Sequence, residues 1–288
     1  MFKDDLLKGK NILVTGGGTG LGLAMSRRLA HYGADLWILG RRQEKLEEAK
    51  SELEQYGSEV RSASCDIRDP ESVERVLSEI WEDAPLDALV NNAAGNFASP
   101  SEALSHRAVD AVLGTVLHGT AYMTLGCGKR WLKEQRPGNV LSIVTTYAST
   151  GSGWVLPSAM GKAGVQAMTR SLAVEWGGRG IRLNAIAPGP FPTPGAVERL
   201  APDPRLIEVM KNQNPLKRFG NPEELADLAV YMLADGSAYL NGEVVTLDGG
   251  EWLQGAGQFN FLRHVSSEDW AKLAAAHRAG HRNEKGSD

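Results

Sequence analysis

The sequence predicts a single-domain α/β protein built on a doubly wound parallel sheet. Short apolar runs alternate with longer stretches of helical periodicity along the 288 residues. A glycine-rich segment lies directly between the first such run and the first helical stretch. No internal repeat or low-complexity linker divides the chain, and a chain of this length can bury one large core. These observations together indicate a Rossmann fold.

Seven apolar runs are predicted strands because each is short and is followed by turn or cap residues. Parallel strands covered by helices on both faces read as nearly continuous apolar runs rather than as alternating ones. The predicted strands are Asn11–Thr15, Asp35–Leu39, Glu59–Ser64, Ala88–Asn91, Asn139–Val144, Arg182–Ile186 and Val244–Leu247.

Six helices are predicted between these strands. Pro70 and Pro222 suit the first helical position, and Asp69 and Asn221 before them are candidate N-caps. The helical stretches cover 20–32, 43–56, 70–82, 103–135, 157–177 and 222–235.

Two segments fall outside this alternation. Residues 187–220 hold much of the proline and follow a strand, so they predict either a substrate lid or a rigid surface excursion. The catalytic domain is expected to span 1–250, and residues 251–288 are then a C-terminal extension. Ser266 to Asp269 resemble a capping box that opens a last helix, which would pack on the same domain or on a neighbouring subunit.

Composition excludes several classes of protein. Hydrophobic residues make up 42% and charged residues 23%, which is typical of a soluble globular protein. The net charge of −4 gives no basic field for nucleic acid. No signal peptide and no run long enough to cross a bilayer is recognised, so a cytoplasmic location is expected. Cys65 and Cys127 are isolated, which fits a reducing compartment, and neither has metal-ligand spacing with a histidine.

The glycine-rich segment predicts a dinucleotide site. Gly16, Thr19, Gly20, Leu21 and Gly22 form a strand–loop–helix junction, where a pyrophosphate can approach backbone N–H groups at a helix N-terminus. Asp66 follows the third strand, and Asn92 and Ala93 follow the fourth, so these residues are expected at the same edge of the sheet. Taken singly, Asp66 or Asn92 would be interpreted as a turn-forming residue, but together they predict the dinucleotide site.

The residues after the second strand favour NADP(H) over NAD(H). A carboxylate usually holds the ribose hydroxyls of NAD at this point, but here Arg41 and Arg42 follow the strand. Arginines can hold a 2′-phosphate by charge-assisted hydrogen bonds. The alternative is a solvated arginine pair at the start of a helix.

The chain resembles the short-chain dehydrogenase/reductase family, and within it the mitochondrial-type 2,4-dienoyl-CoA reductases. The family resemblance rests on the Thr15–Gly22 loop, Asn91–Gly95, Lys162, and Pro188-Gly189 with Thr193. The resemblance to the reductases covers nearly the whole chain. It rests on Asn91–Phe97, Thr145–Ala148, Gly151–Gly153, Pro157-Ser158, Glu175–Gly177 and, beyond the usual family end, Gly257–Asn260.

Two positions depart from the ordinary family pattern. The family's Tyr-x-x-x-Lys pair here reads from Ser158 to Lys162, so a serine replaces the tyrosine. The asparagine of the family's helical Asn-x-x-Gly group is Val116. Both changes remove parts of the relay that gives a proton to a carbonyl oxygen, and the dienoyl-CoA reductases share both.

The resemblance implies roles for individual residues. Tyr147 and Asn96 would donate hydrogen bonds to the thioester carbonyl, Ser158 would orient Tyr147 or the substrate, and Lys162 would bind the nicotinamide ribose. Thr193 would bond the nicotinamide carboxamide, in a pocket lined by Pro188, Pro190 and Phe191. Near the acyl-CoA, the resemblance implies Arg68, Phe97, Ser105 and Arg199. Family members are commonly homotetramers.

The expected reaction is NADPH-dependent reduction of a 2,4-dienoyl-CoA to an enoyl-CoA, with the 3-enoyl isomer expected, in the β-oxidation of unsaturated fatty acids. Hydride addition to the far end of the conjugated system needs donors that hold the thioester oxygen, as an oxyanion hole does. Two alternatives stay open: an NADP-dependent reductase of 3-oxoacyl thioesters or other carbonyls, and a non-catalytic NADP-binding sensor or scaffold.

Overall fold

A computed structural model describes residues 3–193 and 203–284. It confirms the predicted fold class: seven parallel strands form one sheet in the order β3-β2-β1-β4-β5-β6-β7. The order reverses between β1 and β4, which is where doubly wound sheets open a crevice for a ligand. The strands are β1 Asn11–Thr15, β2 Asp35–Gly40, β3 Val60–Ser64, β4 Ala88–Asn91, β5 Gly138–Ile143, β6 Ile181–Pro188 and β7 Val244–Leu247.

Helices cover both faces of this sheet. Those of the main domain are α1 Gly20–His31, α2 Gln43–Leu53, α3 Pro70–Asp83, α4 His106–Leu113, α5 Thr120–Glu134, α6 Tyr147–Thr150, α7 Leu156–Gly177, α8 Pro204–Gln213 and α9 Pro222–Leu233. In the C-terminal extension are α10 Glu251–Ala256 and α11 Ser267–Glu284. No helix within 3–193 or 203–284 is long and apolar enough to cross a membrane.

Successive residues of β1 divide the core into two layers. Ile12 and Val14 pack in a cluster with Met25 of α1 and Leu225 of α9. Leu13, between them, points to the opposite face, where the second cluster contains side chains of α3, α5 and α7. This alternation follows from the two-residue period of a strand. The sheet is therefore buried on both faces, and ligands can reach it only at its edges.

The predicted helix over 103–135 is interrupted in the structure. α4 ends at Leu113, and a π-helical segment, Gly114–Gly119, joins it to α5. Such segments are rare and often lie at functional sites. Here the segment contains Val116, which is fully buried. The helical periodicity of the sequence carried no signal for the change of pitch.

The segment 187–220 contains regular structure that its proline content does not predict. β6 continues to Pro188, and the ten-residue helix α8 occupies 204–213. Asp203 caps this helix by accepting the Arg205 N–H at 2.9 Å. Residues 194–202 lie outside the described residues.

The predicted starts of α3 and α11 are confirmed. The Asp69 carboxylate accepts the Glu71 N–H at 3.1 Å at the start of α3. Ser266 Oγ accepts the Asp269 N–H at 3.1 Å before α11. Ser266 also lies 2.7 Å from the Asp269 carboxylate, to which its hydroxyl donates. These caps satisfy backbone N–H groups that a helix leaves unpaired.

Candidate active site

The loop after β1 forms a cradle that only glycine permits. Gly16 has φ of +67°, in the left-handed region. A Cβ on Gly22 would lie 2.1 Å from the Gly16 carbonyl oxygen and 2.5 Å from Asn92 Nδ2. The first turn of α1 therefore packs directly on the loop and on the strand end that holds Asn92. This close approach fits a dinucleotide pyrophosphate at a helix N-terminus.

Thr15 holds the two strand ends of the crevice together. Its hydroxyl accepts the N–H groups of Asn92 and Ala93 at 3.0 and 3.1 Å and lies 3.3 Å from the Val90 carbonyl. Asn92 Nδ2 in turn donates to the Thr15 carbonyl at 3.0 Å. Nothing in the sequence around Thr15 points to this role beyond its place in the loop.

A first cavity of about 590 Å³ lies beside this cradle. Arg41, Arg42 and Lys45 line it, and neither arginine forms an ion pair within 4.0 Å in the described residues, although the charge of Arg41 also acts on the Asp66 carboxyl. Lys45 lies 2.6 Å from Glu48 and was not predicted. The rest of the lining includes Gly16, Thr19, Asp66, Asn92, Ala93 and Thr115. The cavity thus combines the predicted loop with three cations.

Asp66 lines this first cavity and binds Arg68. Arg68 Nε donates to the Asp66 carboxylate at 2.9 Å. This hydrogen bond holds the pKa of the Asp66 carboxyl below its usual value, with burial acting the other way. Arg68 therefore has a carboxylate partner already, and its side chain does not line the cavity that contains Tyr147.

A second cavity of about 1210 Å³ continues from the first, and Asn92 and Ala94 line both. It brings together all four predicted catalytic residues. It also contains the predicted nicotinamide pocket residues Pro188, Pro190 and Phe191, together with Leu21. Thr193 lies at the loop, since a Cβ on Gly20 would be 3.5 Å from Thr193 Cγ2.

The phenol of Tyr147 is the centre of a hydrogen-bonded group in this second cavity. Asn96 Nδ2 donates to Tyr147 Oη at 3.3 Å, and Ser158 Oγ lies 3.1 Å from the same atom. Asn96 Oδ1 accepts the Phe97 N–H at 2.9 Å, which fixes the amide with its donors toward the cavity. When Ser158 donates to Tyr147, the Tyr147 proton is free to bond an oxygen in the cavity.

Lys162 lies one helical turn after Ser158 on α7 and is 8% exposed. Its Nζ donates to the Ile143 carbonyl at the end of β5. Burial lowers the pKa of the Lys162 amine to about 8. Val116 packs on the same helix turn, because a Cβ on Gly161 would lie 2.9 Å from Val116 Cγ1. An apolar contact thus replaces the polar relay that an asparagine would make there.

Three predicted substrate residues are not in this cavity. Ser105 is exposed and caps α4 by accepting the Ala108 N–H at 3.2 Å. Phe97 contributes its backbone N–H to Asn96, and Arg68 pairs with Asp66. Arg199 lies outside the described residues.

The C-terminal extension forms one wall of the second cavity, which the sequence analysis did not foresee. Eleven of its described residues line the cavity. They are Glu251, Trp252, Gln254, Gly255, Ala256, Gly257, Gln258, Asn260, Phe261, Arg263 and His264. In the sequence, Gly257–Asn260 is only a point of resemblance. Its place at the cavity required knowledge of where the chain turns after β7.

A glycine cradle, a doubly wound sheet and a buried lysine beside a phenol define a dinucleotide-dependent oxidoreductase of α/β type. The profile described as "Enoyl-(Acyl carrier protein) reductase" matches residues 16–251. A short chain dehydrogenase from Bacillus anthracis superposes with a TM-score of 0.80 at 42% identity, covering 88% of this chain and 99% of that one. The chain belongs to the short-chain dehydrogenase/reductase family.

Relatives within the family differ in their names. A Bacillus subtilis protein named "Probable 2,4-dienoyl-CoA reductase [(2E)-enoyl-CoA-producing]" is 40% identical over 85% of this chain and 97% of its own length. A Caenorhabditis elegans protein named "Probable 2,4-dienoyl-CoA reductase 3 [(3E)-enoyl-CoA-producing]" is 40% identical over 95% of this chain and 91% of its own. Gluconate 5-dehydrogenase of Gluconobacter oxydans is 31% identical over 85% of this chain and 95% of its own.

Proposed function

We propose that this protein reduces 2,4-dienoyl-CoA to an enoyl-CoA with NADPH. The observation that supports this most is the hydrogen-bonded group around Tyr147. Its phenol oxygen lies 3.3 Å from the Asn96 amide nitrogen and 3.1 Å from the Ser158 hydroxyl oxygen. This serine stands where the family's Tyr-x-x-x-Lys pair has its tyrosine. The relatives named 2,4-dienoyl-CoA reductase support the same substrate.

The residues suit conjugate reduction better than carbonyl reduction. Bound NADPH supplies the hydride. Tyr147 and Asn96 donate hydrogen bonds to the thioester oxygen, on which negative charge grows as hydride reaches C5. No proton has to be transferred to that oxygen, so the absence of a tyrosine at position 158 costs this reaction nothing. Ser158 keeps the Tyr147 proton directed into the cavity.

The buried amine of Lys162 supports both cofactor and chemistry. Its place at the end of β5 lets it bond the ribose hydroxyls of a nicotinamide held by Pro188, Pro190, Phe191 and Thr193. A cation there also favours the negative charge that forms on the substrate.

NADP(H) is the proposed cofactor because of the first cavity. Arg41 and Arg42 line it without carboxylate partners in the described part of the chain, and Lys45 lies beside them. A 2′-phosphate would satisfy these cations, whereas the bare ribose of NAD would leave them to water.

A coenzyme A thioester suits the second cavity in size and charge. About 1210 Å³ is ample for an acyl chain with pantetheine. Arg263 and His264 lie at its wall, and Arg263 Nε is 3.1 Å from His264 Nε2 with no carboxylate partner in the described residues.

The proposed product is the 3-enoyl isomer in the β-oxidation of unsaturated fatty acids. Exposed Leu125 and Val174 on α5 and α7 are available for assembly of the proposed homotetramer.

The test compares two substrates and two enzymes. Purified protein with NADPH is given 2,4-hexadienoyl-CoA or acetoacetyl-CoA, and NADPH loss is followed at 340 nm for the wild type and Tyr147→Phe. We expect the dienoyl substrate alone to turn over, and the variant to lose about 100- to 1,000-fold in kcat. Tyr56→Phe, on an exposed tyrosine, is the matched control.

Carbonyl reduction is the second candidate, and the gluconate dehydrogenase relative favours testing it. It predicts turnover of acetoacetyl-CoA that depends on Ser158 and not on Tyr147. NADPH binding without turnover of either thioester would favour the sensor instead.

A further inference from the structure

The proposed reaction includes one proton transfer, to carbon, to which no residue has been assigned. Hydride addition at C5 moves electrons along the chain to give a dienolate, and a proton must then reach C2 or C4. In the proposed function Tyr147 and Asn96, which bond each other, hold the thioester oxygen, and Lys162 Nζ donates to the Ile143 carbonyl. An acid that faces the carbon chain is still needed.

Glu251 is the sole carboxyl among the described residues that line the second cavity. It is half-buried, and its side chain makes no hydrogen bond or ion pair within the described residues. The other titratable groups of that lining are Tyr147, Lys162, Arg263 and His264. Glu251 is thus an acid with no structural partner, in the cavity where the acyl chain would lie.

A rigid turn presents Glu251 at the nicotinamide end of this cavity. Gly189 N donates to the Leu247 carbonyl at 3.0 Å, and a Cβ on Gly189 would lie 2.8 Å from Asp248 Cα. The turn that leads into α10 therefore packs on the Pro188–Phe191 segment. Asn214 fixes it from the other side by donating to the Asp248 carbonyl at 2.8 Å.

The surroundings of Glu251 favour its protonated form. Its carboxyl is withdrawn from water, and the Asp248 carboxylate is close by. Asp248 accepts the N–H groups of Gly250 and Trp252, each at 2.8 Å, so its charge is fixed in place. Burial and then this neighbouring charge raise the pKa of the Glu251 carboxyl. A carboxyl with a raised pKa keeps its proton to a higher pH than an exposed carboxyl does.

We propose that Glu251 is the general acid that protonates the dienolate at carbon, directly or through one water. This inference rests on the proposed function. The Glu251 O–H bond breaks and a C–H bond forms at C2, while the enolate electrons restore the thioester C=O and leave the C3=C4 double bond. The Glu251 carboxylate then takes a proton from solvent, which completes the reaction of dienoyl-CoA, NADPH and one proton.

The test uses Glu251→Gln, which keeps the shape and removes the proton. Wild type, Glu251→Gln, Glu251→Asp and the matched control Glu243→Gln, on an exposed carboxyl that lines neither cavity, are compared with 2,4-hexadienoyl-CoA and NADPH. Each is measured for kcat, for the ratio of 3-enoyl to 2-enoyl product, and for binding of NADPH and unreactive hexanoyl-CoA. We expect Glu251→Gln to lose about 100-fold or more in kcat. Its residual product should shift in isomer ratio, because water then protonates the dienolate, and both affinities should be unchanged.

Glu251→Asp keeps an acid and should retain the wild-type isomer ratio at reduced kcat. A kcat within threefold of the wild type and an unchanged ratio in Glu251→Gln would overturn the inference and leave the proposed function standing. So would the same losses in Glu243→Gln, or weakened hexanoyl-CoA binding that accounts for the whole effect. A wild type with no dienoyl-CoA turnover would overturn the proposed function, and the role of Glu251 with it.

Discussion

At the scale of residues, the site is distinguished by the position in the chain from which its phenol comes. Tyr147 comes from the short helix after β5, and Ser158 stands on α7 where the family pattern has tyrosine. Their hydroxyl oxygens lie 3.1 Å apart, and in the proposed reaction Ser158 donates to Tyr147 and so directs the Tyr147 proton. In this arrangement the serine positions the donor and does not replace it.

Ser158→Ala should therefore be mild compared with Tyr147→Phe. Loss of one neutral hydrogen bond costs about 1 kcal/mol, so we expect kcat for the dienoyl substrate to fall about two- to tenfold with the KM for NADPH unchanged. Steady-state kinetics of both variants checks this. If Ser158→Ala were as damaging as Tyr147→Phe, the serine would be a direct donor to substrate.

Lys162 should make stability depend on pH at the alkaline end. Burial lowers its pKa to about 8 in the folded protein, from 10.5 in an exposed chain. Between these values the unfolded chain binds a proton that the folded protein does not, so folding becomes more favourable as pH rises. Below pH 8 both states hold the proton, and the unfavourable contribution of the buried cation is constant.

Relative to Lys162→Met, the wild type should therefore gain about 3 kcal/mol in the free energy of unfolding between pH 7 and pH 10.5. Urea unfolding of both proteins without cofactor, at several pH values, measures the difference. A difference that stays flat, or that falls with rising pH, would contradict a buried amine at this position.

At the scale of elements, the C-terminal extension supplies part of the wall of the second cavity. α10 and the 3₁₀ turn Asn260–His264 form a wall of the second cavity. The sequence analysis expected this segment to pack on its own domain or a neighbour, since a capping box identifies a helix but not what the helix covers. The same limit applies to the π-helical segment at Val116, because its geometry depends on packing against α7 and not on local periodicity.

Arg263 on this wall should affect the coenzyme A end of the substrate. It has no carboxylate partner in the described residues, and phosphates attract such a cation. We expect Arg263→Gln to raise the KM for 2,4-hexadienoyl-CoA about three- to tenfold, more strongly at low salt. The N-acetylcysteamine thioester of the same acid lacks the phosphates, so its KM should not change.

Arg107→Gln, on α4, provides the matched control for removal of an exposed arginine. An equal KM change for both thioesters would mean that Arg263 acts on the shape of the cavity and not on the phosphates.

At the scale of the whole molecule, the sequence predicted the sheet well because its signals are local. Each strand is a short apolar run, and the loop Gly16–Gly22 marks the first crossover. The end of β4 and the end of β1 then had to meet at the switch point, and Asn92 does contact the loop. The cavity wall at Glu251 stayed beyond prediction because it depends on contacts between distant parts of the chain. The pairing of Asp66 with Arg68 and the cap that Ser105 forms on α4 are local contacts, and the resemblance did not indicate them.

The whole molecule should also report its cofactor through thermal stability. A ligand that binds only the folded state at 100 times its Kd stabilises by about 2.7 kcal/mol. For a domain of this size that raises Tm by about 4 °C. We expect NADPH at a given concentration to raise Tm and NADH at the same concentration to raise it less, because only NADPH brings a 2′-phosphate to Arg41 and Arg42.

The double variant Arg41→Ala with Arg42→Ala should remove the difference between the Tm shifts that NADPH and NADH cause. It should leave the Tm of the free protein unchanged, because both side chains are exposed and neither forms an ion pair in the described residues. Scanning calorimetry of both proteins with each cofactor measures all four shifts. A wild type that NADH stabilises as strongly as NADPH would mean that the arginines are solvated and do not select the cofactor. A double variant that still prefers NADPH would place the selection on Lys45, the third cation of the same cavity.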